Sequence, residues 1–218
     1  MSDIKGQAVV KSPLRNTADS DSTKLLRVTR DGMLLTDYLL NLAFQGRVFV
    51  ASDADQNDTV TGQTSFANTT PTFLLNVPTG TTAIPLFVKL AQAGSVAGAA
   101  IDIIIEIDDI AAYSSGGTSE TVLCTRTDNP VGNKCALYSG ATATAGYGVN
   151  LEYVFAMVQD VAAAVADDYK WHQFEWKPPA PIFLVGPASL KVFTYAGTTG
   201  PSWVWSAGWA EVPSSDLV

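Results

Sequence analysis

Few side chains in this sequence have the means to do chemistry. His172 is its single imidazole, so a nucleophile and base pair would have to use it, with Cys124 or Cys135 as the sulfur partner. It stands in Trp171-His172-Gln173-Phe174-Glu175-Trp176. A two-residue period there puts His172 with Phe174 and Trp176 on one face, and Trp171, Gln173 and Glu175 on the other. That pattern predicts a packed sheet residue, not a base. Gly186-Pro187-Ala188-Ser189-Leu190 has leucine where a nucleophile elbow needs glycine. Ser114-Ser115-Gly116-Gly117-Thr118 lacks the lysine and the following helix of a phosphate loop. These residues assign no catalytic group and no cofactor.

Acidic side chains offer two places for a cation. Asp53-Ala54-Asp55-Gln56-Asn57-Asp58 opens like a calcium loop, but its sixth position is Asp58, not the turn glycine, and its twelfth is Thr64, not a bidentate glutamate. A solvated loop is the expectation, and no metal ligand is assigned. Glu106, Asp108 and Asp109 could hold an ion at a subunit contact, although carboxylates at a strand end more often make a wet edge that discourages stray strand pairing. The third feature is aromatic. Trp203, Trp205 and Trp209 fall on one face of a strand, where they would line a sugar-binding groove, a subunit interface or a core. Core or interface is favoured, and the three are kept as candidate interface or glycan contacts.

The elements that position these residues are almost all strands. Met33 to Phe44 carries apolar residues at three- and four-residue spacing and stops at Gly46, which predicts one short helix. After it, runs rich in β-branched and aromatic residues recur between Gly, Pro, Asn and Thr clusters: 47–51, 73–77, 84–90, 101–108, 120–125, 135–138, 150–158, 170–176, 182–185, 190–195 and 203–212. In Ile101 to Asp108, isoleucines alternate with Asp102, Ile104, Glu106 and Asp108, predicting a core face and carboxylates in water. The alanine stretch Val161 to Ala166 predicts at most a helical turn in a loop. Close strands with hardly any helix between them exclude a parallel α/β layout. The expectation is an all-β, antiparallel β-sandwich of jelly-roll type, one domain over 25–218, preceded by an extended N-terminal arm at 1–24.

At 218 residues, with 47% hydrophobic and 16% charged side chains, the chain has enough apolar surface for a full core and too little charge for general disorder. A net charge of −8 opposes broad adhesion to nucleic acid or an anionic membrane. The first thirty residues run the other way, with Lys5, Lys11, Arg15, Lys24, Arg27 and Arg30 outnumbering Asp3, Asp19 and Asp21. Contact of this arm with nucleic acid is less favoured than a solvated extension. The N-terminus has no apolar leader, so synthesis in a cytoplasm is expected. There, Cys124 and Cys135, which bracket the loop TRTDNPVGNK, would stay reduced, although they could face each other across a hairpin.

Phe174-Glu175-Trp176-Lys177-Pro178-Pro179-Ala180-Pro181-Ile182-Phe183-Leu184-Val185-Gly186-Pro187-Ala188-Ser189-Leu190, with the strand ending Trp209-Ala210-Glu211-Val212-Pro213, resembles small virion structural proteins of bacteriophages. Asn76-Val77-Pro78-Thr79-Gly80-Thr81-Thr82-Ala83-Ile84-Pro85-Leu86 is similar to them too. The resemblance rests on turn chemistry. It implies a jelly-roll building block, a capsid subunit or a cement or decoration protein, located in the virion and made in the host cytoplasm. It also implies assembly into symmetric oligomers on or within a capsid, with the N-terminal arm reaching to a neighbour. The expected partners are copies of itself, as trimers or pentamers closed by heterologous contacts, and other capsid proteins, with no enzymatic reaction, cofactor or membrane. The alternative is a carbohydrate-binding β-sandwich, such as a phage receptor-binding head.

Overall fold

The computed structural model of the protein describes residues 38–52, 59–93, 100–128, 131–144, 152–159, 173–197 and 199–217. The expected arm, the first turn of the expected helix, the Asp53 to Asp58 loop, the segment Val161 to Ala166 and His172 lie outside these residues. The described chain is mostly strand: β1 (Val48–Ser52), β2 (Val60–Thr61), β3 (Phe73–Val77), β4 (Thr81–Gln92), β5 (Ala100–Asp108), β6 (Tyr113–Ser115), β7 (Thr118–Ser119), β8 (Val122–Cys124), β9 (Ala136–Ser139), β10 (Thr142–Ala143), β11 (Glu152–Gln159), β12 (Gln173–Trp176), β13 (Leu184–Val185), β14 (Ala188–Ala196) and β15 (Ser202–Pro213). One helix, α1 (Tyr38–Phe44), precedes them. It ends where the sequence predicts. Gly46 takes a left-handed φ of 70°, Arg47 N–H donates to the Leu42 carbonyl at 2.9 Å, and Gly46 N–H donates to the Ala43 carbonyl at 2.9 Å. This pattern satisfies the last helical carbonyls only when a residue without Cβ strain occupies the left-handed position.

Two antiparallel sheets face each other. The first runs β12-β4-β15-β1-β8, with β13 beside β4 and β2 beside β15; the second runs β11-β5-β14-β3-β9-β7. The longer strands pair in a nested way. Taking β1, β3, β4, β5, β11, β12, β14 and β15 in chain order, the first pairs with the last, the second with the seventh, the third with the sixth and the fourth with the fifth. Between β5 and β11, the described residues 109–128 and 131–144 form an excursion that adds β8 to one edge of the first sheet and β9 and β7 to the matching edge of the second. On the way it forms the small β6·β10 ladder. Ala143 of that ladder and Ala112 next to it cover Leu74 on the outer face of the second sheet, where Tyr113 stacks on Tyr138 with ring centroids 4.0 Å apart.

One core lies between the sheets. Phe49, Val88, Leu90, Trp203, Trp205 and Trp209 enter it from the first sheet. Phe73, Leu75, Ile101, Ile103, Ile105, Ile107 and Val192 enter from the second. Phe73 and Trp205 stack across the gap at 4.9 Å and 22°. On β4 the inward parity changes from odd (Ala83) to even (Val88, Leu90), because the register against β15 slips between Gly208 and Trp209 and leaves Leu86 as the extra residue. Pro85, with no N–H to give, sits at that irregularity inside an otherwise central strand. Gly208 opposite is tight for a different reason: a Cβ there would meet the Phe87 ring at 2.4 Å.

The outer faces depart from the expected pattern. On β5 the isoleucine face is buried as predicted, but Glu106 and Asp108 are not in water: they are 2% and 0% exposed. Ala112 and Ala143, packed on Leu74, and Phe66, which packs edge-on to Phe193 at 5.4 Å, lie on this side of the sheet. Strand periodicity tells which residues share a face; it does not tell whether a later segment covers that face. On β12 the prediction holds, with Trp176 buried and Gln173 and Glu175 exposed.

Candidate functional site

Trp203, Trp205 and Trp209 are 0%, 3% and 1% exposed and belong to the inter-sheet core. Of the three places their spacing allowed, they take the core one, and no indole face is left for a sugar ring or a neighbouring subunit. Trp209 donates its indole N–H to Glu211 at 2.8 Å, and the same carboxylate accepts the backbone N–H groups of Lys134 at 2.7 Å and Cys135 at 3.1 Å. Glu211 thus ties the chain entering β9 to β15 in the opposite sheet, and a buried carboxylate with three donors is satisfied. A cleft of about 210 Å³ beside it is lined by Arg47, Thr81, Val131, Lys134 and Glu211. That is below the roughly 300–1,000 Å³ of ligand pockets, and Glu211 is already engaged by structural donors.

The two cysteines lie on strands or approaches of opposite sheets and both are free thiols. Burial pushes the Cys135 thiol well up from its ordinary range, and the adjoining Glu211 carboxylate adds to this by repelling a thiolate. Cys124 is half-buried, with its Sγ against the Gly46 carbonyl at 3.4 Å. The native protein is expected to react with a disulfide thiol reagent at Cys124 alone, and at both cysteines in denaturant. Rapid labelling of Cys135 in native buffer would show that the loop held by Glu211 opens readily.

Two features of the described residues stand out as candidates for function. The first is on the outer face of the first sheet. Leu42 of α1 packs there on Val48, Ile84, Ala210 and Val212, and this seating leaves Tyr38, Leu39, Leu40 and Phe44 exposed by 54%, 43%, 45% and 56%. Leu40 and Phe44 are one helical turn apart, so they lie on one face. On the adjoining edge strand, Val122 and Cys124 pack against the core and Leu123 between them points to the same outer side as α1, 63% exposed. Arg126 joins the two by donating to the Phe44 carbonyl at 2.6 Å. The far side of this face is wet, where Glu175 meets Lys177 at 3.0 Å and Lys89 at 3.6 Å, and the Lys177 ammonium holds the Glu175 carboxyl below its usual range. Five exposed apolar residues are thus grouped at the α1 and β8 end, while Phe183 and Val185, also exposed, lie apart from them at β13 beside β4.

The second feature is the charge cluster on the outer face of the second sheet. Lys191 of β14 stands opposite Glu106 of β5, and Ser189 stands opposite Asp108. The Lys191 ammonium lies 3.2 Å from Glu106 Oε2 and in contact with Asp108 Oδ2, all three side chains being at most 2% exposed. The cation held by these carboxylates is thus a lysine of the same chain, which corrects the expectation of a wet edge or a bound ion. Sequence reading named the strand but passed over Lys191. Its signal was a single cation inside the apolar run Leu190, Val192, Phe193, matching two carboxylates in another apolar strand. Asp109 follows the cluster at the strand end and is exposed. Among the described residues no group of three His, Cys, Asp or Glu side chains is placed to hold a metal ion, and no helix is long and apolar enough to cross a membrane.

No family model matches the sequence, and no curated protein matches it significantly. Among solved structures the chain is similar to one described as the crystal structure of the infectious bursal disease virus VP2 subviral particle, at 16% sequence identity and a TM-score of 0.19. The match covers 79% of this chain and 43% of that one, so this chain spans less than half the length of the viral protein.

Proposed function

We propose that the protein is a non-enzymatic virion building block of jelly-roll type, a capsid subunit or a cement or decoration protein, that works by associating with copies of itself and with other shell proteins. The observation that carries the reading is the exposed apolar group at Tyr38, Leu39, Leu40, Phe44 and Leu123. Large apolar side chains grouped on one surface lose free energy to hydration, and burial against another protein recovers it. Two further points support the reading. The nested pairing of the eight longer strands is what results when one long antiparallel hairpin is rolled up into two facing sheets, the plan of a jelly roll. The segments 174–190 and 76–86 resemble phage virion proteins in their turn chemistry. Jelly rolls host many activities, so the strand order speaks to architecture and the exposed surface speaks to role.

The partner committed to is a second copy of this chain, in a ring of three or five closed by heterologous contacts. Light scattering on the purified protein should give the mass of a closed oligomer. The double variant Leu40→Glu/Phe44→Glu should keep the far-ultraviolet spectrum and associate at least about tenfold more weakly, or about 1.4 kcal/mol, because each carboxylate would have to be desolvated in the contact. A wild-type protein that stays monomeric at high concentration and is missing from purified particles would defeat the proposal.

A further inference from the structure

The geometry points to an intramolecular amide bond between Lys191 and Asp108, formed by the folded chain itself with Glu106 as the proton carrier. Lys191 is 1% exposed, Asp108 0% and Glu106 2%. The lysine Nζ contacts Asp108 Oδ2 and lies 3.2 Å from Glu106 Oε2. All three sit on β14 and β5, hydrogen-bonded neighbours inside the second sheet, where β11 and β3 flank them on either side. Their register therefore fixes the approach: Lys191 faces Glu106 directly, and Asp108 lies one pleat along on the same face. Phe193 lies beside the ammonium, its ring centroid 5.9 Å from Nζ, and Phe66 packs on that ring. An amine and a carboxyl group held together by a rigid ladder, with aromatic rings excluding water, meet the two conditions amide formation lacks in solution. These are high effective concentration and a dry site in which the water released does not return.

The step itself runs through neutral partners. One ammonium between two carboxylates leaves an excess negative charge in a buried place, and charges taken out of water are costly even when paired. Transfer of a proton from the Lys191 ammonium to the Asp108 carboxylate gives a neutral amine beside a neutral acid. The Nζ lone pair then attacks Cγ of Asp108. Glu106 accepts a proton from Nζ and returns it to the departing hydroxyl. The C–O bond breaks, one water leaves, a C–N amide bond remains, and Glu106 ends as it began. Nothing is oxidised or reduced, and no co-reactant is needed.

The test is the intact mass of the full-length protein, measured after denaturation. The expected result is a deficit of about 18 Da, one water, from the mass of the sequence, with a branched peptide joining the Asp108 and Lys191 fragments after proteolysis. Lys191→Met and Asp108→Ala should each show the full mass, whether or not they fold. Wild-type protein at full mass, with the two fragments separate after prolonged incubation of the folded chain, overturns the proposal. So does a deficit that maps to Asp31-Gly32, a pair that loses water by closing an imide. A Glu106→Gln protein cross-linked as fast and as completely as wild type overturns the assignment of Glu106 as proton carrier.

Discussion

Lys191→Ala is expected to destabilise the protein by about 3–5 kcal/mol relative to a chain in which Lys191 and Asp108 are still an unjoined ion pair, the cost of stranding buried charge by removing one partner. Loss of the amide adds to this in chains that have formed it. At an effective dielectric of about 20, the 3.2 Å contact with Glu106 is worth about 5 kcal/mol of attraction before the desolvation of either group is counted. Without the ammonium, Glu106 and Asp108 remain side by side at 2% and 0% exposure, and their mutual repulsion adds to the loss. The sheet cannot relieve this by changing register, because a one-residue slip of β5 would drive Glu106 and Asp108 into the inter-sheet core and expel Ile101, Ile103, Ile105 and Ile107 from it. A urea unfolding series reads the effect as a lower midpoint. The triple variant Lys191→Met/Glu106→Gln/Asp108→Asn, which removes all the charge, should recover much of the part due to stranded charge, but not the part due to the cross-link. A midpoint for Lys191→Ala within about 0.5 kcal/mol of wild type, the range of ordinary surface changes, would mean that water reaches the cluster.

Trp205→Ala is expected to cost about 3–5 kcal/mol, as for a large aromatic side chain deleted from a packed core. Trp205 is 3% exposed and stacks on Phe73 of the facing sheet, so its removal opens a cavity at the point where the two layers touch. Trp203→Ala and Trp209→Ala should fall in the same range, and Trp209→Ala additionally removes a donor from the buried Glu211 carboxylate. Leu123→Ala, at 63% exposure, should change monomer stability by less than about 0.5 kcal/mol. Denaturant midpoints together with near-ultraviolet circular dichroism separate the two classes. If Trp205→Ala kept the wild-type midpoint while abolishing binding to a glycan array, the aromatic row would be a sugar platform after all, and the carbohydrate-binding alternative would regain its ground.

Much of the architecture was legible in the residues themselves. The isoleucine alternation in β5, the β-branched runs of β1 and β3, and the glycine that closes α1 are local patterns, and each follows from a period of two or from one backbone conformation. Local reading also separated strands from loops well enough to exclude a parallel α/β layout. It missed the short strands β2, β6, β7 and β10, whose two or three residues owe their conformation to a pairing partner and carry little pattern of their own. It also could not choose among core, interface and groove for Trp203, Trp205 and Trp209, because parity names a shared face and says nothing about what lies opposite.

What the sequence alone determined is composition and period: an antiparallel, strand-rich body with one short helix and few groups equipped for catalysis. The tertiary structure decided which faces are covered. It placed three tryptophans between the sheets, laid Ala112 and Ala143 over an outer face that periodicity assigned to water, and brought Lys191 against Glu106 and Asp108 from strands far apart in the chain. The physical reason is that burial is a property of pairs of surfaces. A strand sets the direction of its side chains within a few residues, but the surface they meet is supplied by segments that only the completed fold brings near.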